Sequence, residues 1–361
     1  MTNNPTKLLC TALVLAFCTG SPDAWAEKLY VASTAPALSG DSILTFDTVI
    51  GASSQATFSL LSGFGAFGGI AFDSDGNLFA TSGGNNGGIV KFASINGILS
   101  STPTTYTSGL DNPIPLTVDS AGNLFEAEFG SGIIYKFTNG SRSTFASGLN
   151  YCFGLAFDSQ GNLFAGKYSS QKIIKFTGGV AANFASVSAP NGLTFDSNGN
   201  LWVASNLGLG NLYKFSNSNG TLSSTPVIFA GNLGNIEQLV FDHQGNLFVS
   251  KTGNTSAGDS SIYKFANNNG NLSTTPTTFA SGLWGTLSLA IGPSPSSSVT
   301  INCFAGVIIH GTVGSNYVIQ AQANINSSWV TLTNVTLPTS PYTFIDYSSP
   351  TNNQQFYRVT P

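Results

Sequence analysis

The chain has 361 residues, a formal net charge of −4 and only 8% charged residues. Because no run of basic residues is present, it lacks the phosphate-neutralising surface that a nucleic-acid partner needs. No apolar stretch approaches the roughly 20 residues of a membrane span, so none is expected.

The first 26 residues have the features of a signal peptide. Lys7 gives a weakly positive start, Leu8–Cys18 is an apolar run too short to cross a bilayer, and Ala24-Trp25-Ala26 forms a small-residue cleavage site. We expect cleavage after Ala26 and a secreted or periplasmic protein. An uncleaved anchor is the alternative.

One eight-residue phrase then occurs five times, and it predicts the architecture. The copies are FDSDGNLF at 72–79, VDSAGNLF at 118–125, FDSQGNLF at 157–164, FDSNGNLW at 195–202 and FDHQGNLF at 241–248. Each copy ends one strand, turns tightly through Asp and Gly, and begins a second strand. Because the copies start 46, 39, 38 and 46 residues apart, they indicate the blades of a β-propeller.

A sixth blade is predicted from both ends of the repeat region. Leu29–Ser33, Ile43–Phe46 and Ala56–Leu61 look like second, third and fourth strands without a first, and Leu287–Ile291 looks like a first strand alone. Joining them leaves no free sheet edge. The prediction is an all-β, six-bladed propeller over residues 27–291, closed by both termini.

The remaining residues follow another pattern. Residues 292–298 form a linker of Pro and Ser. Residues 299–361 contain short alternating segments that predict a small β-sandwich. These segments are 299–304, 307–312, 317–323, 329–335, 342–347 and 355–360. Through YVIQA, WVTL and the terminal FYRV, this part resembles the fibronectin-type-III-like modules of secreted bacterial proteins, which implies attachment or presentation.

Only Cys152 and Cys303 remain after the predicted cleavage. They either pair in an oxidising compartment or stay as two buried thiols, which behave as small hydrophobic side chains.

The unit GIAFDSDGNLFAT…IVKF resembles the NHL repeat and the propellers of the senescence-marker-protein, gluconolactonase and luciferin-regenerating-enzyme superfamily. This resemblance implies a ligand over the central channel, where gluconolactonase-like enzymes hold a divalent metal with Glu, Asn and Asp. Alignment on the repeat gives the corresponding ring as Gly68, Ile114, Phe153, Asn191, Glu237 and Leu287. Asn191 and Glu237 are the candidate metal ligands, but Leu287 replaces the third, acidic ligand.

Two ligands do not make a site for a hard cation. We therefore expect no cofactor, with Ca²⁺, Mg²⁺ or Zn²⁺ as the alternative. The favoured interpretation of the pair is a channel-lining Asn191 that caps a turn and a solvated Glu237.

Other side chains are expected on the same face. Tyr151, Phe153 and Trp284 either stack on a sugar ring or fill the channel. Glu128 and Lys167 end neighbouring second strands and are expected to form a surface ion pair.

The favoured function is a non-catalytic recognition or scaffold protein. Its partner would be a small neutral molecule or an extracellular glycan bound near these residues, or a protein held by the propeller face. The alternative is a metal-dependent, gluconolactonase-like lactonase, in which Asn191 and Glu237 hold the ion.

Overall fold

The computed structural model describes residues 14–18, 27–33, 41–49, 51–61, 67–83, 86–95, 97–253, 258–285, 287–293, 303–309, 313–322, 328–336, 338–339, 342–346 and 356–360. Two compact units divide the chain. One comprises Ala26–Ser296, and the other comprises Met1–Trp25 together with Ser297–Pro361. The described residues include no helix long and apolar enough to cross a membrane.

The strands occur in chain order as follows. The first strand is β1 (Val14–Cys18). The next three are β2 (Lys28–Ser33), β3 (Asp41–Asp47) and β4 (Gly51–Leu61). The first repeat contains β5 (Phe67–Phe72), β6 (Leu78–Ser82), β7 (Gly87–Phe92), β8 (Ser94–Ile95), β9 (Ile98–Leu99) and β10 (Thr104–Leu110). The second contains β11 (Pro113–Val118), β12 (Leu124–Glu128), β13 (Ile134–Thr138) and β14 (Ser141–Ala146). The third contains β15 (Cys152–Phe157), β16 (Leu163–Lys167), β17 (Lys172–Thr177) and β18 (Val180–Ser186).

The later repeats and the C-terminal part continue this order. The fourth repeat contains β19 (Pro190–Phe195), β20 (Leu201–Ser205), β21 (Asn211–Phe215), β22 (Asn217–Ser218), β23 (Thr221–Leu222) and β24 (Val227–Gly231). The fifth contains β25 (Ile236–Phe241), β26 (Leu247–Lys251), β27 (Ser260–Phe265), β28 (Asn267–Asn268), β29 (Asn271–Leu272) and β30 (Thr277–Leu283). The remaining strands are β31 (Leu287–Ile291), β32 (Cys303–Ile309), β33 (Asn316–Gln322), β34 (Val330–Thr336), β35 (Tyr342–Asp346) and β36 (Phe356–Thr360).

Six four-stranded antiparallel sheets form the propeller. Five of them each come from one repeat, and the sixth has the order β31-β2-β3-β4. Its closing pair runs in register from Leu29 opposite Ile291 to Ser33 opposite Leu287. The predicted all-β, six-bladed propeller closed by both termini is confirmed.

The repeated Leu-Phe pair explains how neighbouring blades hold together. Because successive side chains of a strand point to opposite faces, Leu and Phe pack against different neighbours. Leu78 lies in one buried cluster with Ala32 and Ile43 of the closing blade, which is the sheet β31-β2-β3-β4. Phe79 lies in another with Leu116 of the next blade. Each second strand thus joins two inter-blade cores.

The Asp-x-x-Gly-Asn turns are closed by their own side chains. Asp73 Oδ1 accepts hydrogen bonds from the Asp75 and Asn77 amides at 3.0 and 2.8 Å. Its Oδ2 accepts one from Asn77 Nδ2 at 2.8 Å. Gly76 has a φ of 80°, which glycine adopts without steric cost. The carboxylate is therefore used within the turn.

The C-terminal part differs in detail from the prediction. Two strands are predicted within residues 299–312, but Cys303–Ile309 forms one. Gly306 pairs with both Leu15 and Ile345 in that strand, so it does not interrupt it.

The unit that comprises Met1–Trp25 and Ser297–Pro361 contains two three-stranded sheets. Their strand orders are β1-β32-β35 and β34-β33-β36. The strand β1 comes from the predicted signal peptide and pairs with β32. Cleavage after Ala26, the β-sandwich and the fibronectin-like resemblance stay predictions.

Candidate functional site

Close approach of the inner strands brings the site residues together. A Cβ on Gly154 would lie 2.1 Å from the Asn191 carbonyl oxygen, and one on Gly192 would lie 2.4 Å from that of Glu237. Only glycine permits such contacts. Three consecutive inner strands, β15, β19 and β25, therefore place Phe153, Asn191 and Glu237 side by side.

These strands border a cavity of about 470 Å³. Its lining residues come from five of the six blades, and most of them carry apolar or amide side chains. The lining residues are Gly68, Asn112, Pro113, Ile114, Phe129, Tyr151, Phe153, Tyr168, Asn191, Asn206, Glu237 and Gln238. Tyr151, Phe153, Asn191 and Glu237, all predicted on the channel face, thus border one cavity. Gly68 and Ile114 of the predicted ring do so as well.

Four aromatic rings form one wall. Phe129 packs edge-to-face on Tyr151 and Phe153, with centroid distances of 4.7 and 5.2 Å. Phe153 makes a similar contact with Tyr168 at 5.3 Å. Tyr151 is 46% exposed, so part of its ring remains open to a ligand.

Amide and carboxyl groups also border the cavity. Asn191 is only 4% exposed. Asn206 Oδ1 is buried without a hydrogen-bond partner among the described residues. Gln238 Nε2 donates to the Phe153 carbonyl at 3.2 Å, which fixes that amide against the aromatic wall. A buried, unpaired acceptor costs about 1–3 kcal/mol, so Asn206 is suited to a donor from a ligand.

Glu237 is the acidic residue of the lining. Burial raises the pKa of its carboxyl, and the Thr252 side chain partly opposes that rise. Thr252 Oγ1 itself has no hydrogen bond of ordinary geometry among the described residues. Glu237 is partly buried, so it is less exposed to water than the favoured interpretation of the sequence expects. Burial thus makes its carboxyl easier to protonate than in water, and a neutral carboxyl can donate a hydrogen bond.

Glu128 and Lys167 do not form the predicted ion pair. Glu128 is 5% exposed and accepts hydrogen bonds from the Asp111 amide, at 2.9 Å, and from the Ser131 hydroxyl. Lys167 Nζ instead donates to the Gly148 carbonyl at 2.7 Å. Each side chain thus hydrogen-bonds to nearby loop residues instead of to the other. Neither side chain borders the cavity.

Trp284 also lies outside the cavity lining. Its carbonyl accepts a hydrogen bond from Ser33 Oγ at 2.8 Å. Its ring lies so close to Gly258 that a Cβ there would be 2.9 Å from Cε2. Cys152 is a free, fully buried thiol. The side chain of Cys303 lies outside the described residues.

Sequence reasoning missed Phe129, Tyr168 and Asn206. All three border the cavity, and each comes one residue after the end of a second strand. The predicted face used the last residues of these strands themselves, Glu128 and Lys167. A shift of one position turns a side chain to the other face. The aromatic identity of Phe129 and Tyr168 was the available signal.

The cavity lining contains few side chains that could coordinate a metal ion. The described residues contain no group of three or more His, Cys, Asp or Glu side chains that could hold one. Oxygen atoms are nevertheless present on Glu237, Asn191 and Asn206. Asn206 adds an unpaired oxygen to the same lining, although it does not replace Leu287 of the predicted ring. The set suits a weak oxygen-coordinated cation such as Ca²⁺ better than Zn²⁺.

No family model and no curated protein matches the chain. Solved propeller structures do match. The PQQ-bound aldose sugar dehydrogenase of Streptomyces coelicolor matches with a TM-score of 0.53 and 17% identity, over 71% of this chain and 97% of that one. A gluconolactonase of Xanthomonas campestris matches with a TM-score of 0.44 and 20% identity, over 66% and 94%. A virginiamycin B lyase of Staphylococcus aureus matches with a TM-score of 0.49 and 15% identity, over 75% and 88%.

These identities are too low to carry an activity across. The sugar dehydrogenase match and the six closed blades agree with the predicted propeller, and the resemblance extends to the fold alone. The ligand of the cavity depends on the residues that line it, not on the fold.

Proposed function

We propose that the propeller is a secreted recognition protein whose channel cavity binds a small, uncharged, polyhydroxylated molecule such as a sugar. The observation that carries this proposal is the pairing of an aromatic wall with amide groups in one cavity. Sugar rings present apolar C–H faces and many hydroxyl groups. The rings of Tyr151 and Phe153 suit the first, and Asn191 and Asn206 suit the second.

A neutral Glu237 fits the same ligand. A protonated carboxyl both donates and accepts hydrogen bonds, as a sugar hydroxyl requires. An ionised one brings a charge that the lining does not balance. Binding is therefore expected to weaken as pH rises through the raised pKa of Glu237.

The test is calorimetric titration of the protein with a panel of neutral monosaccharides and their methyl glycosides. Asn191→Ala should weaken binding by about 5- to 100-fold, as expected when a ligand hydroxyl loses one buried partner. Glu237→Gln should keep binding and remove its pH dependence. Asn183→Ala, an exposed amide on the outer strand β18, is the matched control and should change nothing. Equal affinities of the Asn191→Ala variant and the unchanged protein would overturn the proposal.

The second candidate is a metal-dependent lactonase, which the unpaired Asn206 oxygen favours. Asn191, Asn206 and Glu237 would hold a divalent cation, and the ion would polarise a lactone carbonyl. Here Glu237→Gln has the opposite effect, because it removes the only carboxylate of the ligand set. A melting temperature that rises with Ca²⁺ and falls with EDTA, together with lactone turnover lost in Glu237→Gln, would establish this candidate. A metal at 100 times its dissociation constant adds about 2.7 kcal/mol of stability.

A further inference from the structure

The loop between β20 and β21 presents two exposed apolar side chains. Leu207 and Leu209 are 52% and 70% exposed. The preceding residue, Asn206, lines the cavity itself. The corresponding loops of the second and third repeats carry Gly130–Gly132 and Ser169–Ser170 instead. The two leucines are therefore particular to this blade rather than part of the repeat.

The backbone fixes this loop beside the polar part of the site. The Leu209 carbonyl accepts a hydrogen bond from the Gly234 amide at 2.8 Å, and the Gly210 carbonyl accepts one from the Leu233 amide at 3.1 Å. Gly234 lies three residues before Glu237. The leucines thus lie on a loop tied at one end to Asn206 and at the other to the segment that carries Glu237.

We infer that the ligand is a glycoside with an apolar aglycone, whose neutral head enters the cavity and whose apolar part covers Leu207 and Leu209. This inference rests on the proposed sugar site. Two exposed leucines in one short loop favour an apolar partner, since their burial gains free energy in proportion to the area removed from water. Their continuity with Asn206 favours one molecule that spans both surfaces.

The test compares methyl, hexyl and octyl β-D-glucopyranoside, each below its critical micelle concentration, by calorimetry on the full chain. Hexyl glucoside should bind at least about tenfold more tightly than methyl glucoside, because several methylenes become partly buried. The double substitution Leu207→Ser/Leu209→Ser should remove this gain and leave methyl glucoside affinity unchanged. Ile95→Ser/Ile98→Ser is the matched control. Those side chains are 67% and 74% exposed on the hairpin β8–β9 of the first repeat, and the chain-length gain should persist.

Each contrary outcome identifies what fails. Equal affinity for all three glucosides overturns the aglycone inference and leaves the sugar site standing. Binding of octyl glucoside that Asn191→Ala does not weaken shows an apolar surface separate from the cavity, which also overturns it. Failure of every glucoside and of the monosaccharide panel overturns the proposed function as well. Sedimentation of the protein with phosphatidylcholine vesicles, lost in the double leucine variant, would assign the leucines to a membrane surface instead.

Discussion

At the scale of single residues, the buried carboxyl of Glu126 destabilises the propeller. It is fully buried, and neither carboxyl oxygen has a hydrogen-bond partner among the described residues. In the third and fourth repeats the same strand position holds Ala165 and Val203, which pack in apolar clusters. Burial raises the pKa of Glu126 well above its ordinary value, the nearby Glu128 adds to the rise, and Arg142 opposes it.

Glu126→Met should therefore stabilise the protein at pH 7, by about 1–3 kcal/mol, the usual cost of an unsatisfied buried polar group. In the unchanged protein, stability should fall as pH rises from the ordinary Glu pKa towards the raised one, because the folded state keeps a proton that the unfolded chain releases. Urea denaturation at several pH values measures both effects. Glu128→Gln, in the same strand, serves as the control and should bring no gain, since Glu128 has hydrogen-bond partners. A less stable Glu126→Met variant would show that the carboxyl has a partner.

At the scale of structural elements, the loop from Asn206 to Gly210 depends on two glycines in different ways. Both Gly208 and Gly210 have a φ of 71°, in the left-handed region. A Cβ on Gly208 would meet nothing within 4 Å, whereas one on Gly210 would lie 1.7 Å from the Gly234 carbonyl oxygen. Only Gly210 is thus required by close packing as well as by its backbone conformation.

Gly208→Ala should cost about 1 kcal/mol, the strain of a side chain in this conformation. Gly210→Ala should cost about 3 kcal/mol or more, because the loop must separate from Gly234. Equilibrium unfolding of the two variants measures the difference. Gly210→Ala should also weaken sugar binding, since Asn206 moves with the loop. Equal losses of stability would mean that the loop lies farther from Gly234.

The repeat sequence predicts these elements well and the loops between them less well. The pattern of Phe, Asp, Gly and Leu-Phe gives strand, turn and strand, because each residue type has a direct conformational or packing reason to be there. The loop that holds Asn206 has no such pattern. Its position depends on backbone hydrogen bonds to Leu233 and Gly234, which lie between β24 and β25. The same limit misplaced the channel face by one residue at Glu128 and Lys167.

At the scale of the whole molecule, closure of the ring depends on one short strand. β31 supplies Leu289 and Ala290 to two different buried clusters. Ser288 Oγ accepts a hydrogen bond from the Ile70 amide at 3.1 Å. The carboxylate of Glu27, just before β2, also contacts His243 in the turn between β25 and β26 of the fifth repeat. Without β31, the edge of β2 is unpaired.

Two shortened chains that both begin at Glu27 test this dependence. The chain that ends at Ser296 keeps β31 and should melt cooperatively at a temperature close to that of the full chain. The chain that ends at Trp284 lacks β31 and should lose cooperative melting, because two inter-blade cores are opened together. Thermal denaturation followed by circular dichroism distinguishes them. A cooperative transition in the shorter chain would contradict the assigned closure.

The closing pair also sets the timing of folding on the ribosome. Ser33 leaves the ribosome early, yet its partner Leu287 is made roughly 250 residues later. At about 5–20 residues per second, the edge of β2 waits on the order of 10–50 seconds for its partner. The propeller can therefore complete its ring only near the end of synthesis, and until then its first-made strand is the one most exposed to pairing with a neighbouring nascent chain.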